Sequence, residues 1–474
     1  MKAGTRNRGR SICIGITGFT LLAYLGTLLI GYEAKTPFLW TLRCISAPLT
    51  IYYAKLWKDR GFWFLAAYYL LFTARAIQIG RWEVMRLEGW ISELSGLWVF
   101  TACYGLYRLI PEGQRRRILG ILATIWIAGT VLNSLVGIYA AWTDEHYYGL
   151  TQDYLRLIGR EAEYNKSVLF WGFYGNRLSL MENSNQSGAI LQMTVLMAFC
   201  CGLCAEGKRA RILYFLAAVP LLLALALTDA RTSIIGLSAG IAVMAFAGVY
   251  QGLRSRKRKS GAALAPALRW TVSLLAMTAV FIVTALIILQ ITPAFNRVKL
   301  QGILPAAYAE SPGTVEVSNR GFDFTESMFT GRVKVWRTVF QVLREKPKIL
   351  LVGSSKLGTM YRVNEILNRP YGHCHNMILQ ILMESGIPGL LLVLGFLIPI
   401  LRNAGKAVLS PGTPRWIRLI PAIMAALWVM DMDECFVWLR HGTFPMLPFQ
   451  FVIYGILANY RPQDAEQPGR IVRQ

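Results

Sequence analysis

The stretch that decides the fold is "YGHCHNMILQILMESGIPGLLLVL", residues 371–394. It places two of the chain's four histidines, His373 and His375, directly before a long apolar run. A helix needs about 20 mostly apolar residues to cross the hydrocarbon core of a bilayer. The run from Met377 onward meets this requirement, so the stretch predicts a membrane-spanning helix whose first turns carry polar side chains.

The composition extends this prediction to the whole chain. Of its 474 residues, 54% are hydrophobic and 16% are charged. Soluble domains carry about 25% charged residues. Because apolar runs of spanning length recur along the sequence, we predict an all-α integral membrane protein with many passes.

The apolar runs predict about twelve transmembrane helices. Their expected positions are 11–31, 38–55, 61–80, 91–109, 118–141, 186–204, 212–228, 232–250, 270–292, 377–401, 419–431 and 442–458. The expected organisation is 1–292 with helices one to nine and an exterior loop at 142–185, 293–376 as a large exterior loop, 377–458 with the last three helices, and 459–474 as a cytoplasmic tail.

The net charge of +24 could suggest nucleic acid as a partner, but the basic residues lie between predicted spans. Clusters such as "RRR" (115–117) and "RSRKRK" (254–259) fall in alternate loops. This distribution follows the positive-inside rule and predicts that both termini are cytoplasmic. The partner it indicates is therefore the lipid bilayer and no nucleic acid.

The large exterior loop contains one predicted helix, in "FTGRVKVWRTVFQVLREKP" (329–347). Its apolar residues recur at three- and four-residue steps, at Val333, Trp336, Phe340 and Leu343, and Pro347 ends it. With arginines beside the apolar stripe, the helix would lie on the bilayer surface. Packing against the core of the loop itself is an equal alternative.

Several charged residues fall in the outer halves of the predicted spans: Arg43, Arg75, Glu93, Asp229, Arg231 and Glu384. Ionisable groups at such depth usually face a polar cavity or one another. They predict one cavity that opens outward, in which Arg75 and Glu93 could pair. Charges near helix ends that reach the interface are the alternative, mainly for Arg43.

An enzyme whose site faces outward has no ATP or nucleotide sugar available, because these stay in the cytoplasm. The sequence also shows no phosphate-binding glycine loop and no zinc-protease motif. An activated substrate must then come from the membrane, and a lipid pyrophosphate that carries a sugar is the obvious candidate. Arginine binds phosphate oxygens with a permanently charged fork, and histidine is the usual base for an acceptor hydroxyl. We expect no metal and no cofactor.

Four predicted exterior segments supply such side chains. Arg177 and Asn185 lie in "GNRLSLMENSNQSG" (175–188), Arg231 in "LTDARTSIIGL" (227–237), and Arg332 in the loop helix. On the helix after His375, the residues Asn376, Gln380 and Glu384 are four apart, so they share one face.

These segments also carry a family resemblance. "HCHNMILQILMESGIPGLLL" (373–392) resembles the His-Asn…Leu…Glu-x-Gly-x-x-Gly signature of the O-antigen ligase/polymerase superfamily, and the other three segments resemble its further motifs in the same order. The similarity covers about 170–400. Departures are Ser354 and Ser355, where a Gly-x-Gly-like turn is usual, and "NSN" (183–185), where Asn-Pro-Asn is common.

The resemblance implies a metal-independent, inverting glycosyltransferase in the bacterial cytoplasmic membrane. Its donor would be a glycan on undecaprenyl pyrophosphate, and its acceptor the lipid A core or another lipid-linked glycan. Arg177 and Arg231 would bind the pyrophosphate, and His375 would be the catalytic histidine. Catalytic roles are thus predicted for His375, Arg231 and Glu384, and substrate binding for Arg177, Arg332, Asn376, Asn185, Gln380 and His373.

Several alternatives stay open. His375 could instead cap its helix, His373 could support the loop or belong to a metal pair, and Glu384 could be a buried, hydrogen-bonded carboxyl. The acidic "DMDE" (431–434) is expected to be a solvated turn, or else a cation site. Ligase and polymerase are not distinguished, and a lipid-linked oligosaccharide flippase or a peptidoglycan polymerase of the shape, elongation, division and sporulation family are the rival classes.

Overall fold

The computed structural model of the chain describes residues 3–30, 36–78, 94–143, 147–148, 169–174, 177–180, 184–260, 265–300, 331–368, 371, 373–432 and 446–460. Within these ranges the fold is helical apart from one small sheet, which confirms the predicted class. The predicted partner Glu93 and the acidic residues Asp433 and Glu434 lie outside the described residues, as does the side chain of Arg75.

The amino-terminal helices are α1 (Ala3–Ile30), α2 (Thr36–Thr41), α3 (Ala47–Ala54), α4 (Arg60–Gln78), α5 (Ser95–Leu109) and α6 (Arg115–Thr143). One π-helical turn, Leu42–Ser46, joins α2 to α3. An antiparallel sheet follows α6 and consists of β1 (Tyr147–Tyr148), β2 (Leu169–Tyr174) and β3 (Arg177–Ser179).

The second half of the chain begins with α7 (Ser184–Cys204), α8 (Lys208–Leu227), α9 (Arg231–Ser260) and α10 (Pro266–Leu300). Three shorter helices follow, α11 (Arg332–Glu345), α12 (Lys348–Val352) and α13 (Ser355–Leu367). The described chain ends with α14 (Met377–Leu409), α15 (Arg415–Asp431) and α16 (Met446–Ala458).

Six helices among the described residues are long and apolar enough to cross a membrane: α6, α7, α8, α9, α10 and α14. Their outer surfaces are apolar as well; on α10, for example, Leu275 is 65% exposed and Ile287 is 61% exposed. Such surfaces suit lipid and would be costly in water. The chain is therefore a multi-pass integral membrane protein, and the number of twelve spans stays a prediction.

The helices at the centre of the bundle approach closely because small residues line their contact. Gly236 and Gly240 are four apart on α9, the small-xxx-small spacing that lets membrane helices pack backbone to backbone. A Cβ at Gly236 would lie 2.9 Å from the carbonyl oxygen of Ala426 on α15. The amide of Gln192 on α7 donates to the same carbonyl at 3.3 Å, so α7, α9 and α15 meet there.

The loop helix α11 forms where it was predicted, and its buried face differs from the predicted stripe. Leu343 of the predicted stripe is buried, but Phe340 is 53% exposed, and the other buried apolar residues are Val335, Val339 and Val342. The valines pack with α13 and with the start of α14, through residues that include Met360. The two alternatives for this helix were a position on the bilayer surface and packing against the loop core. The contacts among the described residues are packing contacts with neighbouring helices.

We expect Gly236→Ala to lower the thermal unfolding midpoint in detergent, because the new methyl group must displace the α15 backbone. Overpacking of this kind costs about 1–3 kcal/mol. Gly248→Ala on the same helix is the matched control, since a Cβ there meets nothing within 4 Å and alanine favours helix. Equal midpoints for the two variants would contradict the close contact.

Candidate active site

The polar stretch at the start of α14 begins with a helix cap. Asn376 has extended backbone angles, and its side-chain oxygen accepts a hydrogen bond from the Leu379 N–H at 3.1 Å. The same side chain donates from Nδ2 to the carbonyl of Met432, directly after α15, at 2.9 Å. The capping alternative considered for His375 therefore belongs to Asn376, which also ties α14 to α15.

The two histidines before the cap lie against each other. The His375 N–H donates to His373 Nδ1 at 3.1 Å, and the ring centroids are 4.1 Å apart. His375 has a φ of +50°, a left-handed backbone that is uncommon for a residue other than glycine. Both side chains are half-buried, so they lie at the surface of the site. Strained backbone of this kind often accompanies function.

A tryptophan on the loop helix holds this backbone in place. Trp336 Nε1 donates to the carbonyl of Cys374 at 3.1 Å and to that of His375 at 3.3 Å. From the other side, the Cys374 N–H donates to Gln380 Oε1 at 2.7 Å. The sequence reading had placed Trp336 only in an apolar stripe, because its role depends on a hydrogen bond to a distant backbone.

Arg332 lies on the same helix, one turn before Trp336, and is 8% exposed. Residues four apart on a helix share a face. The predicted arginine of the loop helix is therefore on the face that also carries the tryptophan bound to the histidine backbone.

The predicted polar face of α14 is present, and it lies deeper than the histidines. Gln380 is 4% exposed and Glu384 is 1% exposed. Gln380 Nε2 donates to Glu384 Oε1 at 2.6 Å. Gln380 therefore links the carboxyl group of Glu384 to the backbone beside His375, which is the geometry of a support for the histidine segment.

Below Glu384 the helix bends. Gly386 has a φ of +66° and Gly353, after α12, has a φ of +71°, conformations that favour glycine. The kink frees the carbonyl of Met383, which accepts hydrogen bonds from Ser354 N at 2.7 Å and from Ser354 Oγ at 2.8 Å. Ser354, noted above as a departure from the family pattern, thus satisfies an acceptor that the bend creates.

The arginines form a second group. Arg177 on β3 donates from Nε to the Thr228 carbonyl at 2.9 Å, and from Nη2 to Asn185 Oδ1 at 2.8 Å and to the Asp229 carbonyl at 3.2 Å. Asp229 has a φ of +46° in the turn that leads into Arg231, which is 7% exposed. The structure thus brings together Arg177, Asn185 and the turn before Arg231, which come from two of the predicted exterior segments.

A neighbour of each group contacts the end of α15. Ser233, two residues after Arg231, donates to the Met430 sulfur at 3.3 Å, and Asn376 donates to the Met432 carbonyl. Between them Asp431 is fully buried and accepts from Gln450 Nε2 on α16 at 3.2 Å. The expectation of a solvated turn is wrong for Asp431, because this residue ends α15 inside the bundle.

The fold and the site together define a helical integral membrane protein with buried arginines and a histidine pair at one end of the bundle. Residues 216–394 match the O-antigen ligase family, so the chain carries a domain of that family. The matched region includes Arg231, Arg332 and the whole histidine segment, and it begins after Arg177 and Asn185. A comparison with curated proteins gives no match.

We predict that the Cys374 thiol reacts slowly with maleimide in a variant that keeps only this cysteine. Cys374 is buried, and burial raises the pKa of its thiol, so little reactive thiolate forms at neutral pH. Trp336→Phe removes the indole donor and should speed labelling about fivefold, the equivalent of ~1 kcal/mol for one hydrogen bond.

Phe340→Leu on the exposed face of α11 serves as the control for this labelling experiment and should leave the rate unchanged. Identical rates for the tryptophan variant and the control would show that Trp336 does not hold the segment.

Proposed function

We propose that the protein is a metal-independent, inverting glycosyltransferase that moves a glycan from a polyprenyl pyrophosphate to an acceptor hydroxyl. We further propose that it acts at the outer face of the cytoplasmic membrane. The family domain at 216–394 indicates glycosyl transfer by lipid-linked chemistry. The observation that carries the assignment is that Ser233, two residues after Arg231, and Asn376, next to His375, both contact the end of α15.

The arginine group suits the pyrophosphate of the donor. Arg231 follows a turn whose left-handed Asp229 is held by Arg177, so its position is fixed before any ligand binds. A buried guanidinium at a fixed position interacts more strongly with phosphate than one in bulk water, because the surrounding dielectric is lower. Arg231 would stabilise the charge that develops on the leaving pyrophosphate, and Arg177 would maintain the turn and contribute to binding.

The histidine segment suits activation of the acceptor. The acceptor hydroxyl attacks the anomeric carbon, the bond from that carbon to the pyrophosphate oxygen breaks, and the polyprenyl pyrophosphate leaves with the electron pair. The proton of the hydroxyl goes to the imidazole of His375, assisted by His373. A single displacement inverts the anomeric centre, and every atom is accounted for without a metal.

In this proposal Gln380 and Glu384 act through the histidine segment. Gln380 donates a hydrogen bond to Glu384 and accepts one from the Cys374 N–H. Together these two hydrogen bonds would hold the backbone next to His375 in position. Asn376 would fix the start of the helix, and Arg332 would contact the donor from the loop helix.

His375→Ala and Arg231→Ala should each lower the release of polyprenyl pyrophosphate by about 10²-fold or more, the usual effect of losing a general base or one charge-stabilising donor. The assay uses purified protein with a lipid-linked oligosaccharide and an acceptor glycan. Variants must match the unmodified protein in yield and in elution from size exclusion.

Arg332→Ala and Arg344→Ala form a matched pair for the same assay, since both arginines lie on α11 and Arg344 is exposed in its last turn. Only the first should raise the KM for the donor. Full release by the His375 and Arg231 variants, or transfer of intact donor across the membrane without bond cleavage, would refute the assignment. Lengthened lipid-linked chains would identify a polymerase, and chains on a terminal acceptor a ligase.

A further inference from the structure

A cavity lies at the end of α7 that is opposite the candidate active site. It has a volume of about 370 Å³ and is lined by residues of α1, α6, α7, α8, α15 and α16. Its walls are almost entirely apolar, with Leu21, Met193 and Phe449 among the deep residues and Cys204 and Trp416 near the mouth. Because α7 begins beside Arg177 and ends at Cys204, this cavity and the candidate active site are at opposite ends of one helix.

The dimensions of the cavity match one leaflet of a bilayer. Along α7 it extends from Met193 to Cys204, which corresponds to about 16 Å at 1.5 Å per residue. Half of a bilayer's hydrocarbon core is about 15 Å thick. An apolar cavity of this length in a membrane protein fits one extended acyl chain.

The mouth of the cavity is basic. Arg116 donates to the carbonyl of Cys204 at 2.9 Å and forms an ion pair with Glu206 at 2.9 Å, and its side chain is 54% exposed. Arg415, the exposed first residue of α15, directly precedes Trp416, which lines the cavity. The exposed cations at the starts of α6, α8 and α15 are Arg116, Arg117, Lys208, Arg209, Arg211 and Arg415. They outnumber the neighbouring carboxylates, Glu112 and Glu206.

We propose that this cavity binds one anionic phospholipid, with an acyl chain between α6, α7 and α15 and the phosphate at Arg116 and Arg415. The excess of positive charge at the mouth selects an anionic headgroup over a zwitterionic one, because each basic residue near a membrane surface contributes about 1 kcal/mol towards anionic lipid. The ligand belongs to the leaflet at the basic end of the bundle, and the site is separate from the histidine segment.

One glycine in the wall allows the cavity to be blocked without disturbing the bundle. Gly120 on α6 lines the cavity, and a Cβ at this position would meet nothing within 4 Å. A leucine there would project into the space assigned to the acyl chain. Since leucine favours helix over glycine, the variant should be no less stable than the unmodified protein in lipid-free detergent.

The test is native mass spectrometry of the full chain, purified in detergent and mixed with equal amounts of phosphatidylglycerol and phosphatidylcholine. We expect one phosphatidylglycerol to be retained per chain. The double variant Arg116→Gln, Arg415→Gln should lower this retention by about tenfold or more, because it removes both proposed contacts to the phosphate. Arg402→Gln with Lys406→Gln, which removes the same charge at the end of α14, is the control and should retain the lipid.

Gly120→Leu should also lose the bound phosphatidylglycerol, whereas Gly248→Leu, at an equally open position outside the cavity, should keep it. Ala123→Phe provides a second blocking variant if the first misfolds. Three results would overturn the proposal: equal retention of phosphatidylcholine, unchanged retention in the blocked variants, or displacement of phosphatidylglycerol by polyprenyl phosphate.

Discussion

One side chain connects the parts of the candidate active site. Asn376 caps α14 through its side-chain oxygen and reaches the end of α15 through its nitrogen. Helix ends leave several backbone groups without intrahelical partners, and inside a membrane protein such groups must be satisfied by protein. By meeting this need at two helix ends at once, Asn376 fixes the histidine segment against α15. Near the arginine group, Ser233 contacts the same end of α15. Both groups are therefore positioned relative to one helix.

Two residues of the site have unfavourable backbone conformations that the surrounding packing maintains. His375 and Asp229 both have left-handed backbone: the first is the predicted base itself, and the second lies two residues before Arg231, the predicted pyrophosphate-binding residue. Each conformation costs of order 1–3 kcal/mol and persists only where neighbouring contacts determine it. For His375 these contacts come from Trp336, and for Asp229 from Arg177. The buried polar residues thus serve two purposes: they satisfy one another in a low dielectric, and they hold the reactive side chains in position.

The class of protein and the polar face of α14 could be predicted from the sequence, since hydropathy and the four-residue spacing of Asn376, Gln380 and Glu384 are local properties. The structure confirmed that Gln380 and Glu384 share a face, and it showed in addition that Arg177 donates to Asn185. The buried face of α11 could not be predicted, because two apolar stripes overlap on that helix and only its packing against Met360 selects the valines. The burial of Asp431 likewise depends on Gln450, a residue of another helix that no local pattern connects to it.

The central claim is that the arginine group and the histidine pair act on the same substrate as one site. A double-mutant cycle with the conservative changes Arg231→Lys and His375→Asn, read as the rate of polyprenyl pyrophosphate release, tests it directly. Groups that act as a unit are strongly non-additive, so we expect the double variant to be about as slow as the slower single variant. Losses that multiply, as for two independent positions, would contradict it.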